Sequence, residues 1–285
     1  MDLGQAVESA IQGNKVDLAI IDPKTDSVSF VRALAMRFAT ETIESRREQI
    51  VTLVRESASG RSTIRDRETL AGLLKGSANI RDRGMSDALY LLNGHGDPTV
   101  LATMPEAILR PLEASPFTEW LDLTTRAKPH GALNVLQGLA AKNPRLKDDG
   151  HWMQAMAANG DQAIEESYIK SFLNNDDPRK KMDLAEALRR IGTRKTLAAL
   201  AQEMRTPMVY TLGGVLQVPL RQEIAMQLRV AFPELRPAST LNTDAYYAEI
   251  EAFCEKEFGT KWKTKRPPVE WSGPLEHGFQ PLPEN

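Results

Sequence analysis

The chain has 285 residues, of which 41% are hydrophobic and 6% aromatic, and its 36 Lys and Arg residues are balanced by 38 Asp and Glu residues. This length allows one large domain or two ordinary ones, and the hydrophobic content excludes a wholly disordered chain. A dedicated nucleic-acid binder usually carries a clear basic excess, because neutralising phosphates supplies much of its affinity. The formal net charge of −2 therefore disfavours that class of function.

Cysteine content and hydropathy limit the kinds of cross-link, membrane association and cellular compartment that we expect for the protein. The single cysteine, Cys254, excludes an internal disulfide and a cysteine-based zinc cluster. No stretch approaches the roughly 18 apolar residues that cross a bilayer, so we expect no membrane partner. The first residues show no basic start followed by an apolar run, as a secretion signal would. We therefore expect a cytoplasmic protein, with an exported protein whose signal has been removed as the alternative.

Apolar residues recur with helical spacing along most of the chain. In one run, Met85, Ala88, Leu89 and Leu92 are spaced by three and four positions, which places them on one face of a helix. The pattern predicts a mainly α-helical protein made of short helices. The same spacing returns in three later runs, which are Leu197, Leu200, Ala201 and Met204, then Leu220, Ile224, Leu228 and Ala231, then Tyr247, Ile250, Cys254 and Phe258.

Proline and glycine fall where these helices should begin and end. Asp97, Ser115 and Asp177 each precede a proline, which predicts an N-cap followed by proline at the first helical position. Gly192 and Gly259 follow periodic runs, where a left-handed C-terminal residue is favoured. The predicted helices are thus joined by connections of only a few residues.

Two regions break the helical pattern. Residues 208–218 are β-prone and centre on a Gly-Gly pair, and we interpret them either as a β-hairpin or as a long loop between helices. Residues 263–285 contain five prolines, which exclude a regular helix. This Pro-rich tail either packs on the helices as an end cap or serves as an extended recognition motif. We therefore expect one helical domain over residues 1–262, followed by an extended tail.

Residues 179–205 contain a helix that ends in Ala-Leu-Arg-Arg-Ile-Gly, followed by a second helix with spaced leucines. Over this unit the chain resembles a HEAT-type repeat, and the resemblance is weaker over residues 82–110. It implies an all-α fold, namely an α-solenoid of stacked antiparallel helix pairs. In such a fold the second helices line a concave face that most often holds another macromolecule. One helix pair cannot bury its apolar side alone and must stack on neighbours.

The sequence contains no catalytic motif that indicates an enzyme. The four histidines lie in no nucleophile motif, and neither a phosphate-binding glycine motif nor His-Glu-x-x-His is present. Residues 94–97, Gly-His-Gly-Asp, are better explained as a helix end followed by an Asp cap. Residues 148–151, Asp-Asp-Gly-His, offer possible metal ligands, but hard-metal loops need a longer oxygen pattern, so we predict a solvated loop. We expect no catalytic residue, no metal site and no cofactor.

Basic residues gather within residues 179–205. They form either a solvated face with mixed ion pairs or a docking surface, where charge would mainly steer an acidic partner. Our leading hypothesis is a non-catalytic protein–protein interaction scaffold, of which an inhibitor or immunity-type module is one form, with its contact surface on the concave face. The predicted partner-binding residues are Arg190, Arg194, Lys195, Gln202 and Arg205, with Trp271 from the tail.

Two other functions remain as alternatives. The first is a nucleic-acid-binding HEAT-like protein, similar to DNA alkylation-repair glycosylases, and the net charge counts against it. The second, more remote, is a small-molecule enzyme similar to helical-repeat bilin lyases. That function would require a deep apolar groove with a placed polar residue.

Overall fold

The computed structural model describes residues 2–14, 27–58, 63–212, 216–241, 243–262 and 264–267. Over these residues the fold is all-α apart from one two-stranded sheet, as the periodicity predicted. The chain forms two compact units, Met1–Gly160 and Asp161–Asn285. The expectation of a single domain over residues 1–262 stays a prediction. No helix within the described ranges is long and apolar enough to cross a membrane.

The first unit contains ten α-helices among its described residues, with one 3₁₀ helix between the last two. The helices are α1 (Leu3–Ile11), α2 (Ser27–Phe38), α3 (Glu44–Ala58), α4 (Arg67–Asn79), α5 (Arg83–His95), α6 (Pro98–Ala102), α7 (Pro105–Ala114), α8 (Thr118–Ala127), α9 (Ala132–Lys142), the 3₁₀ helix (Pro144–Asp148) and α10 (Gly150–Ala158).

Helices α2 and α4 approach each other so closely that glycine is required at their contact. A Cβ atom on Gly76 would lie 2.2 Å from a ring carbon of Phe38, and one on Gly72 would lie 2.7 Å from the carbonyl of Ala35. Neither distance is tolerated by real side chains, so the two backbones meet only because both positions lack a Cβ. Close packing of this kind specifies the helix arrangement more tightly than apolar pattern alone.

A buried arginine joins three segments of the first unit. Arg47 is fully buried and donates to the carboxylate of Asp82 at 2.6 Å. Its remaining N–H groups reach the backbone carbonyls of Phe38, Glu41 and Gly76. Because an unpaired buried charge is costly, the carboxylate and the three carbonyls together make the burial of Arg47 tolerable.

The second unit contains five α-helices among its described residues and carries the only sheet of the described part of the chain. Its elements are α11 (Gln162–Leu173), α12 (Pro178–Ile191), α13 (Arg194–Gln202), β1 (Val209–Leu212), β2 (Leu216–Pro219), α14 (Leu220–Ala231) and α15 (Asp244–Phe258). Helices α12 and α14 pack together, and so do helices α13 and α15. Leu188, Leu200, Ile224 and Ile250 are fully buried in the resulting core.

Strands β1 and β2 form an antiparallel hairpin, in which Val209 lies opposite Pro219 and Leu212 lies opposite Leu216. Of the two interpretations of residues 208–218, the hairpin is therefore the correct one. The residues that join the strands, 213–215, lie outside the described part of the chain. The guanidinium of Arg179 donates to the carbonyl of Thr211 at 2.9 Å, which satisfies an acceptor of the first strand.

Most predicted helix ends are confirmed. The carboxylates of Asp97 and Asp177 cap α6 and α12, and Gly192 and Gly259 adopt left-handed conformations at the ends of α12 and α15. The prediction for Ser115 is wrong. Ser115 instead ends α7, where its N–H donates to the carbonyl of Pro111, and α8 begins two residues later than predicted.

Candidate functional site

Three of the predicted partner-binding residues, Arg194, Lys195 and Gln202, are exposed on α13, and together we call them the α13 surface. The helix starts at Thr193, whose hydroxyl accepts the N–H of Thr196 in a capping box. The opposite side of the helix is apolar and packs into the core, because Leu197, Leu200 and Ala201 are buried. Burial of that stripe leaves the polar side of this short helix facing solvent.

Both basic residues of the α13 surface pair with carboxylates on neighbouring helices. Arg194 lies 3.1 Å from Glu257 on α15, and Lys195 lies 3.9 Å from Glu165 on α11. The side chains nevertheless stay 73% and 59% exposed. Solvent screens the Arg194–Glu257 pair, because Glu257 is 39% exposed, so this pair contributes little to folding. Glu165 is only 8% exposed, but its distance of 3.9 Å from Lys195 is longer than a hydrogen bond, and both cations stay accessible.

Arg190 lies on a different helix and pairs locally. Its guanidinium donates to Glu186, one turn earlier on α12, at 2.8 Å. Pairs spaced by four residues on a helix contribute only a few tenths of a kcal/mol. The structure therefore gives Arg190 a helix-stabilising contact without joining it to the α13 surface.

Arg205 has mainly intramolecular partners, in contrast to the α13 surface. Its guanidinium donates to the carboxylate of Glu251 at 2.6 Å and to the carbonyl of Thr264 at 2.7 Å, and its side chain is only 19% exposed. It also lies 4.6 Å from the centre of the Trp262 ring. These contacts hold the chain just after α15 and leave little of Arg205 for a partner.

Glu251 is the centre of this arrangement, and its side chain is 3% exposed. Arg266 donates to both carboxylate oxygens, at 2.8 and 2.9 Å, and we call Arg205, Glu251 and Arg266 the Glu251 cluster. Burial alone would raise the pKa of Glu251, but the hydrogen bonds and charges of Arg266 and Arg205 outweigh it and hold that pKa below 4.5. The carboxylate is therefore ionised at neutral pH.

A third arginine fixes the last described residues of the tail. Arg221, on the first turn of α14, donates to the carbonyl of Pro267 at 2.6 Å and stacks 4.5 Å above the Tyr247 ring. Residues 264–267 are thus packed against α14 and α15. Trp271, the remaining predicted contact residue, lies outside the described residues.

Cys254 is fully buried on α15, as its place on the apolar stripe predicted. Burial, assisted by the charges of Glu251 and Glu255, raises the pKa of its thiol to about 12. The thiolate is the reactive form of cysteine, and burial holds Cys254 in the thiol form at neutral pH.

The prediction of a solvated loop at residues 148–151 is wrong. Asp149 caps α10 by accepting the N–H of Trp152 at 2.9 Å, so Gly150 and His151 begin that helix. His151 lies 2.6 Å from the carboxylate of Asp122 on α8. No local spacing could have shown this pair, because its members are 29 positions apart.

The His151–Asp122 pair joins α8 to α10. A histidine held by a carboxylate takes part in nucleophilic catalysis only when a nucleophile lies beside its imidazole. No group of three or more His, Cys, Asp or Glu side chains among the described residues could hold a metal ion. An open depression of about 510 Å³ is lined by residues 128–134 and 158–160. Because it is wide open to solvent, this depression is not the deep apolar groove that the bilin-lyase alternative would need.

Comparison with known proteins assigns no family. No family model, no curated protein and no solved structure matches the chain. The HEAT-like character of residues 179–205 therefore stays a prediction.

Proposed function

We propose that the chain is a protein–protein interaction module of HEAT-like helix pairs, and that its α13 surface binds a partner protein with an acidic face. An inhibitor or immunity-type protein would be one form of this function. The observation that carries the proposal is the high exposure of Arg194 and Lys195, although each already lies within 4.0 Å of a carboxylate.

Exposed ion pairs can be exchanged at little cost. The Arg194–Glu257 pair contributes about 1 kcal/mol or less to folding, so an acidic partner could draw Arg194 away from Glu257. Lys195 lies 3.9 Å from Glu165, beyond hydrogen-bond distance, and its exposed ammonium group could also turn toward a partner. Gln202 supplies a neutral hydrogen-bonding group on the same exposed side of α13. Complementary charge would mainly accelerate association and set specificity, with affinity coming from the contacts around it.

We place Arg205 outside this surface because its own side chain is only 19% exposed and is held by two hydrogen bonds to the buried Glu251. Removing Arg205 from Glu251 would take one of two guanidinium partners from a buried, ionised carboxylate, which costs stability. A binding event would have to repay that cost. Arg190, which pairs within α12, could contribute only as a peripheral charge.

The proposal is tested by affinity capture with matched charge reversals. The wild-type chain, Arg194→Glu and Lys142→Glu are compared as baits at low and high salt, with nuclease-treated controls. Lys142 is the control because it also forms an exposed ion pair, with Glu113 at 3.3 Å, in the other compact unit. We expect one stoichiometric protein to be retained by wild type and Lys142→Glu, and to be lost with Arg194→Glu.

Other outcomes would redirect the interpretation. Equal capture by both variants would remove the α13 surface from the proposal. Recovery of nucleic acid, abolished by nuclease and strongly reduced by salt, would favour the nucleic-acid-binding alternative. Thermal unfolding of each bait shows whether a loss of binding merely reflects a loss of fold.

A further inference from the structure

A second surface of the same unit is apolar. Met226 and Val230 lie one turn apart on α14, and their side chains are 48% and 57% exposed. Three other apolar residues of this helix, Leu220, Ile224 and Leu228, are fully buried in the core. Apolar side chains on adjacent turns of an exposed helix face form a patch that another segment can cover.

The described chain ends beside this helix. Pro267 is held by Arg221, which lies on the first turn of α14. Met226 is five positions further along the helix, which corresponds to about 7.5 Å of rise. The following residues, 268–285, could span up to about 60 Å if extended. They can therefore reach both Met226 and Val230 from this starting point, even around the side of the helix.

The sequence after Pro267 complements the patch. It contains no Lys or Arg, while Arg229 is exposed on the same side of α14 as Met226 and Val230. Its prolines disfavour helix and favour an extended segment that can lie along a helix face. Its apolar residues are Val269, Trp271, Leu275, Phe279 and Leu282, and its acidic residues are Glu270, Glu276 and Glu284.

We propose that the Met226–Val230 face of α14 is the docking surface for residues 268–285, with Trp271 as the principal anchor. The arginine contacts to residues 264–267 anchor the chain beside α14, which lowers the entropy cost of docking. This inference is independent of the α13 surface, because it involves a different helix and a segment of the same chain.

Thiol labelling in the full chain tests the proposal. Val230→Cys keeps a small apolar side chain at the patch, and the native Cys254 gives little background because it is buried with a thiol pKa of about 12. We expect a maleimide to react slowly at position 230, and the additional change Trp271→Ser to accelerate the reaction several-fold. Tyr90→Cys, in the other unit, is the exposed control whose rate Trp271→Ser should not alter.

Three results would overturn the proposal. If Trp271→Ser leaves the labelling rate at position 230 unchanged, residue 271 does not anchor the tail there. Labelling at position 230 as fast as at position 90 would mean that the face is open in the isolated chain and awaits a partner protein. Protection that increases with protein concentration would assign the face to a second copy. Met226→Cys provides the same measurement if Val230→Cys fails to fold.

Discussion

Two ion-paired regions of the second unit look alike in sequence and differ in environment. In one region, Arg194 at the start of α13 pairs with a glutamate on α15. In the other, Arg205, three residues after the end of α13, also pairs with a glutamate on α15. Arg194 pairs with Glu257, whose side chain is 39% exposed, whereas Arg205 pairs with Glu251, whose side chain is 3% exposed. The comparison indicates that burial of the carboxylate, rather than the presence of the arginine, decides which pair supports the fold and which stays available for a partner.

The physical basis of this difference is solvent screening. Around Glu257, water weakens the ion pair and can replace either partner at little cost. Around Glu251, the carboxylate has little access to water, so the two arginines replace the lost hydration. Three predictions, in order of decreasing effect, test this contrast.

The largest expected effect comes from Glu251→Gln. The amide keeps the shape of the side chain but removes the charge that Arg205 and Arg266 share. We expect the free energy of unfolding to fall by about 2–4 kcal/mol, because two partly buried guanidinium groups lose their counter-charge. Urea unfolding followed by circular dichroism measures the change. A loss below about 1 kcal/mol would mean that the Glu251 cluster behaves like a surface pair.

An intermediate effect is expected from acid. The pKa of Glu251 in the folded chain lies below 4.5, its ordinary value. Its contribution to stability is therefore complete above that ordinary value and is lost as pH falls through the folded pKa. We expect the stability difference between wild type and Glu251→Gln to be constant from about pH 7 to about pH 5.5, and to shrink below about pH 4.5. A difference that persists in acid would assign the loss to packing instead of charge.

The smallest expected effect comes from Glu257→Gln, which is the same chemical change on the same helix. It should lower the free energy of unfolding by less than about 1 kcal/mol at low salt, and by still less in about 1 M salt, because the pair is screened. The same unfolding measurement at two salt concentrations checks this. If Glu257→Gln proves as destabilising as Glu251→Gln, the contrast between the two regions fails, and with it the argument that Arg194 is available to a partner.

Local sequence signals predicted the helices of this protein better than its site. The spacing of Met85, Ala88, Leu89 and Leu92 identified a buried face, and all four residues are buried. Predictions went wrong where two signals competed for one residue. Ser115 has the composition of an N-cap and instead ends the preceding helix, and Asp149 caps a helix within what the sequence presented as a loop.

The arginines within and just after α12 and α13 show that local sequence signals do not identify the partner of a charged side chain. Arg190, Arg194 and Arg205 are equivalent by composition, and charge clustering grouped them together. Their partners are 4, 63 and 46 positions away, and only the nearest could have been recognised from helix spacing. The role of each arginine therefore could not be assigned before its carboxylate was located.

The sequence by itself determined the all-α class, the buried face of most helices and many of their ends, because these depend on residues within a few positions of each other. Only the tertiary structure decided which of two readings of residues 208–218 is correct, which glycines allow α2 and α4 to touch, and which cations are tied to buried carboxylates. Those features depend on distance in space and on the local access of water, and neither quantity is carried by the order of residues alone.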